Sequence, residues 1–195
     1  MSIISPSKKE INCKIVYCGP KDAGKSSNLN FIYKKIHSGE KTKLSSLNND
    51  DEKTLFFSFL PLSLGEVKGF KTRFHLYTLP VELFGSSRKL ILKGVDGIVF
   101  VADAQMDKLQ TNLHSLENLR QLMVEQGYDL SKIPLVIQYN KCDLPNAMPI
   151  NELRKALNPS EFPDFSAVST QGKGVFETFK SITKMIVESL KKDVE

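Results

Sequence analysis

Short apolar runs alternate along the chain with stretches in which apolar residues recur every three or four positions. Residues 11–18 read as a strand, and residues 27–33 open a helix. Residues 54–60 and 71–77 read as two further strands. The short connection between Gly65 and Gly69 predicts that these two pair as an antiparallel hairpin. Gly97, Ile98, Val99, Phe100, Val101 and Ala102 form a continuous apolar run, the pattern of a central parallel strand buried on both faces. Leu109, Leu113, Leu116, Leu119 and Met123 fall at helical spacing. A second buried strand is predicted over 134–139, a short helix over 151–157 and a last strand over 164–169. Val175, Phe176, Phe179, Ile182 and Ile186 mark a closing amphipathic helix. Strands alternating with helices predict an α/β fold. The sheet is expected to be open and mainly parallel, with six or seven strands, one antiparallel hairpin and helices on both faces. No repeat, low-complexity block or linker divides the chain, so residues 1–195 are expected to form one domain.

Composition narrows the partners more than the fold. A length of 195 residues suffices for a full core, and 41% hydrophobic with 25% charged residues is ordinary for a soluble globular chain. The net charge of +5 comes from scattered lysines and arginines that form no stripe, so no nucleic-acid partner is expected. No apolar run approaches the ~20 residues of a membrane span. The N-terminus lacks an apolar signal region, position 2 is Ser2 rather than glycine, and the last residues hold no prenylatable cysteine. No direct membrane anchor is therefore expected. Cys13, Cys18 and Cys142 are an odd set without metal-ligand spacing, as suits reduced thiols in a cytoplasm.

The candidate chemistry begins where the first strand ends. Gly19, Pro20, Lys21, Asp22, Ala23, Gly24, Lys25 and Ser26 fit the pattern G-x-x-x-x-G-K-[ST]. In such a loop the backbone N–H groups of Lys21, Asp22, Ala23, Gly24, Lys25, Ser26 and Ser27 face nucleotide phosphates. The glycines let the main chain approach without a Cβ in the way. Lys25 is then expected to reach the β- and γ-phosphates, and the Ser26 hydroxyl to ligate Mg²⁺. The helix that follows adds unpaired N–H groups and a positive dipole end.

A second motif selects the base. Asn140, Lys141, Cys142 and Asp143 follow the 134–139 strand and fit N-K-x-D. The Asp143 carboxylate accepts two N–H donors from one edge of guanine, a pair that adenine lacks, and a buried Asp there discriminates strongly. The Lys141 stem packs along the base, and Asn140 tethers neighbouring loops. The segment of Phe165, Ser166, Ala167, Val168 and Ser169 is expected near the base through the Ala167 backbone. Asp103, just past a central strand, is open to two roles: holding a loop or holding a cation.

These residues resemble the small Ras-like GTPases. Over residues 11–17, 54–57, 59–65, 69–78 and 87–97 the chain resembles specifically the bacterial MglA family, which sets cell polarity and motility. The resemblance implies a P-loop small-GTPase fold switching between GTP and GDP with Mg²⁺. Thr54 is then the switch I residue that senses Mg²⁺ and the γ-phosphate. Thr78 falls where most Ras-like proteins carry an aspartate, and a threonine there is the MglA pattern. Also implied are a roadblock-domain activating protein, a response-regulator-like polarity protein, and action at a cell pole. A monomer is expected.

Four positions depart from the family pattern. Lys21 replaces a glycine and crowds the space above the γ-phosphate. Pro80, Val81 and Glu82 stand where the family has Pro-Gly-Gln. Glycine allows tight backbone approach, whereas β-branched Val81 restricts it. Glutamine orients the attacking water by donating and accepting; ionised Glu82 donates nothing and adds negative charge beside a polyanion. Lys53 replaces the switch I arginine and loses the planar fork that grips phosphoryl oxygens. Binding residues are intact while the catalytic ones, Glu82 and Lys53, are altered, so weak hydrolysis is expected. Two alternatives remain: a GTPase stimulated by its activating partner, and a scaffold that binds no nucleotide. An ion pair of Lys21 or Lys53 with Glu82 is a further expectation, holding one switch conformation without GTP.

Overall fold

The structure, a computed structural model, describes residues 3–5, 9–36, 45–49, 52–59, 66–67, 69–80 and 90–192. Its strands are β1 (Ile3–Ser5), β2 (Glu10–Gly19), β3 (Ser45–Asn49), β4 (Glu52–Phe59), β5 (Glu66–Val67), β6 (Phe70–Pro80), β7 (Gly97–Asp103), β8 (Leu135–Asn140) and β9 (Asp164–Ala167). The principal helices are α1 (Lys25–Ile36), α2 (Leu109–Glu125), α3 (Ile150–Leu157) and α4 (Val175–Lys192). Five strands form an all-parallel centre in the order β6-β2-β7-β8-β9. Beyond β6 lies β4, antiparallel to it with Phe56 opposite Tyr77, and then β3. The short β1 runs antiparallel along the start of β2.

Alternation along the strands assigns the two faces. Ile11, Cys13, Ile15 and Tyr17 of β2 join Leu29 and Ile32 of α1 and Phe179, Ile182 and Ile186 of α4 in one core. Val16 and Cys18 face the other way, with Leu116, Leu119 and Met123 of α2 and Leu153 and Leu157 of α3. Strands β2, β6, β7 and β8 thus serve both layers, because successive side chains point to opposite faces. β7 is buried along its whole length, as its unbroken apolar run requires.

Several element ends lie a few residues from the sequence expectation, and two of them are set by hydrogen bonds at the site. Helix α1 starts at Lys25, two residues early, because the Asn28 N–H (3.1 Å) and the Asn28 side-chain amide (3.0 Å) both bond the Gly24 carbonyl. Lys25 and Ser26 therefore lie in the first helical turn. The last strand stops at Ala167 rather than Ser169, because the Ser169 N–H is taken by Asn140 Oδ1 at 2.9 Å instead of by a strand ladder.

A buried polar triad ties α1, β8 and α4 together. Asn28 and Gln138 exchange amide hydrogen bonds (2.7 and 3.0 Å), Gln138 Nε2 also donates to Thr178 Oγ1 (3.0 Å), and Thr178 Oγ1 donates to the Gly174 carbonyl (2.7 Å). All three side chains are fully buried. Every amide hydrogen of the pair is used, since Asn28 also reaches Gly24. A half-satisfied buried network is costly. Gln138→Leu leaves one Asn28 donor, its acceptor and the Thr178 lone pair without partners. We expect a loss of about 3 kcal/mol in urea unfolding; an unchanged midpoint would show that the triad contributes nothing to stability.

Candidate nucleotide site

The parallel centre brings the motif residues to one rim. At the carboxyl ends of the strands, Pro80 sits beside Gly19, and Asp103, Asn140 and Ala167 stand side by side across β7, β8 and β9. Ligands of open α/β sheets bind at this edge.

The phosphate loop is shaped by steric exclusion. Gly19 has φ +136°, and a Cβ there would overlap the Val101 carbonyl of β7. Gly24 has φ +101°, and its Cβ would overlap the Asn140 side-chain amide. Both conformations favour glycine. The Lys25 side chain is buried, with its ammonium donating to the carbonyls of Gly19 (2.8 Å) and Pro20 (2.5 Å). The loop thus holds its own lysine in place. Ala23 is fully buried, Ser27 half-buried, and Lys21, Asp22 and Ser26 exposed.

Asn140 joins the two motifs. Its amide donates to the Ala23 carbonyl (2.7 Å) and to Ser169 Oγ (3.0 Å), and its carbonyl accepts from the Ser169 N–H (2.9 Å). One buried side chain thereby fixes the phosphate loop against the loop after β9. Between them opens a cavity of about 190 Å³, lined by Asp22, Gly24 and Ser27 on one side and by Asn140, Lys141, Asp143 and Leu144 on another. Its third side comes from Val168, Ser169 and Thr170. Ser166 and Ala167, the residues expected from this segment, are not among those lining it; the Ala167 carbonyl accepts the Cys142 N–H at 3.2 Å. Asp143 is exposed on the cavity lip rather than buried.

Asp103 holds a loop. Its carboxylate accepts from the Lys141 ammonium at 2.5 Å and from the Gln105 backbone N–H at 3.1 Å. Cys142 is half-buried, and burial pushes its thiol pKa up while Sγ donates to the Tyr139 carbonyl. Burial likewise pushes the Cys18 thiol up to about 12. Neutral thiols are poor metal ligands. Among the described residues no cluster of three or more His, Cys, Asp or Glu side chains is arranged to hold a metal.

Other predicted residues are placed only in part. Thr78 is buried on β6 beside Tyr17. Lys53 and Thr54 lie on β4, opposite Asn48 and Leu47 of β3. Val81 and Glu82 lie outside the described residues, and with them the expected ion pair to Lys21 or Lys53.

Two larger cavities lie elsewhere and offer less. One, about 460 Å³, is bordered by Arg120, Val124, Tyr128 and Phe162. The other, about 410 Å³, contains Lys14, whose ammonium already donates to the carbonyls of Ile91 (3.1 Å) and Lys93 (2.9 Å). Neither carries the G-x-x-x-x-G-K-[ST] pattern.

Comparison with known proteins agrees with this geometry. Residues 14–191 match the Gtr1/RagA G protein conserved region. The chain is 58% identical to the mutual gliding-motility protein MglA of Myxococcus xanthus (strain DK1622) over 193 residues, 98% of this chain and 99% of that one. The chain belongs to the MglA family of small GTPases. As an MglA-family G protein it is a GTP-binding protein. Among the described residues no helix is long and apolar enough to cross a membrane.

Proposed function

We propose that this MglA-family protein is a guanine-nucleotide switch in cell polarity or motility that holds GTP but cleaves it slowly or not at all. The observation that carries the reading is Asn140, which bonds Ala23 and Ser169 and so keeps phosphate loop and base cavity in one fixed relation. In this reading the backbone of residues 21–27 and the Lys25 ammonium hold the phosphates. Asp143 accepts from the guanine edge, and Lys141 lies along the base. The segment of Ser166 and Ala167 supports the base loop from behind, through the Ala167 carbonyl on Cys142.

The residues fit a magnesium ion that arrives with the nucleotide. Mg²⁺ takes oxygen ligands and keeps several waters, needing few protein groups besides the phosphates. Ser26 stands exposed in the first turn of α1, and Thr54 is the second candidate ligand. When bound, the ion neutralises phosphate charge.

Lys21, Lys53, Val81 and Glu82 supply the argument against efficient cleavage. A long lysine stands exposed on the phosphate loop where a close approach is needed, and ionised Glu82 cannot donate to an attacking water. Function then runs through binding: a roadblock-domain protein and a response-regulator-like polarity protein, acting on a monomer at a cell pole. The hairpin of residues 54–60 and 71–77, extending the sheet to six or seven strands, is the element through which switch I follows the nucleotide.

Mass spectrometry of the nucleotide carried through gentle purification tests this reading. GTP as the main species is expected. A nucleotide-free protein, or one carrying only adenine nucleotide, would overturn it.

A further inference from the structure

Asp103 belongs to neither motif, yet its carboxylate is almost fully buried and is directed at the one lysine of the base loop. Its backbone is gripped on both sides. The Asp103 N–H donates to Asn112 Oδ1 (3.0 Å), and Asn112 Nδ2 donates back to the Asp103 carbonyl (2.8 Å). Asn112 is fully buried on α2. Gln105 adds bonds from its N–H and side-chain amide to the same carboxylate (3.1, 3.1 and 3.2 Å). The carboxylate is therefore fixed before any ligand arrives.

Lys141 is the opposite kind of residue. It sits in the left-handed region at φ +66°, and more than a quarter of its side chain is exposed. A free lysine in that setting loses substantial rotamer entropy when it lies down along a base. The 2.5 Å contact to Asp103 removes that freedom in advance and leaves the stem along the wall of the cavity that also contains Asp143.

We propose that Asp103 is a positioning residue of the nucleotide site: by holding the Lys141 ammonium it lays the lysine stem along the base and lengthens the residence of guanine nucleotide. The inference rests on the reading that the 140–143 loop binds guanine. It makes α2, through Asn112 and Asp103, part of the machinery that sets nucleotide release.

The test is a double-mutant cycle on the full-length protein loaded with fluorescent GDP, read as the dissociation rate. Asp103→Asn is nearly isosteric and keeps an acceptor for Gln105, and the released amine can turn to water, so thermal unfolding is expected to stay close to that of the original protein. Dissociation is expected to quicken about tenfold, the scale of one lost charge-assisted contact at a partly exposed amine. Lys141→Met should quicken it as well, and the double variant no further than Lys141→Met alone. An Asp103→Asn variant that releases GDP at the original rate overturns the proposal, as does a double variant whose two effects multiply. Failure of the unsubstituted protein to bind the labelled GDP would remove the guanine reading itself, and this inference with it. A contribution of Asp103 to folding alone would move the unfolding temperature and leave the cycle additive.

Discussion

Asp143→Asn is expected to weaken GDP and GTP binding by about 10³-fold or more and to let xanthine nucleotides bind in their place. Guanine offers N1–H and an exocyclic amine on one edge, and both need acceptors. An asparagine supplies one acceptor and one donor, so the amine meets another donor and a hydrogen bond becomes a repulsion. Xanthine carries a carbonyl where guanine has the amine, and the same asparagine satisfies it. The loop should tolerate the exchange. The Cys142 N–H is held by the Ala167 carbonyl (3.2 Å) and the turn is closed from Leu144 N–H to the Lys141 carbonyl (3.2 Å). Asp143 itself is exposed, so little packing changes. Competition of GDP and XDP against a labelled nucleotide checks this. Retained preference for GDP would place the base elsewhere.

Restoring the family pattern at three positions is the second large effect. Lys21→Gly, Val81→Gly and Glu82→Gln together should raise single-turnover GTP cleavage by about a hundredfold, with GTP affinity changed only a few-fold. A single positioned charge in this chemistry is worth about 10³ to 10⁵ in rate, so clearing the γ-phosphate space and restoring a water-orienting amide is a comparable change. Binding should survive because the Lys25 ammonium is held by Gly19 and Pro20, and the base loop by Asn140, none of which is touched. Phosphate release from preloaded protein measures it. A triple variant as slow as its parent would place the barrier elsewhere, with the lysine at position 53 the next candidate.

What could be read from the sequence follows a simple division. Elements defined by local periodicity were legible: the apolar run of β7 and the three- and four-residue spacing of α2 need only neighbours in sequence. Gly19 and Gly24 were legible as a phosphate loop, but the reason each must be glycine lies far away, in Val101 and Asn140. The Asn28–Gln138–Thr178 triad was not legible, because its members are distant in sequence and meet only through sheet order and helix packing. Its one local sign was a glutamine inside an apolar strand. Asp103 was visible as a charged residue closing an apolar run, and only its place at the end of β7 beside Asn140 brings it to its partner Lys141. Of the segment 165–169 expected near the base, Val168 and Ser169 line the cavity together with Thr170, while Ser166 and Ala167 do not. Side-chain capture of the Ser169 N–H by Asn140, which ends the strand early, carries no local signal.

These readings meet in one claim, that binding and cleavage of GTP are separated in this protein. The direct measurement is single-turnover cleavage of bound GTP by the unsubstituted protein, followed as phosphate release with nucleotide retention recorded in parallel. GTP is expected to stay bound and intact, with cleavage well below the intrinsic small-GTPase value of about 4 × 10⁻⁴ s⁻¹. Cleavage at or above that rate would contradict it.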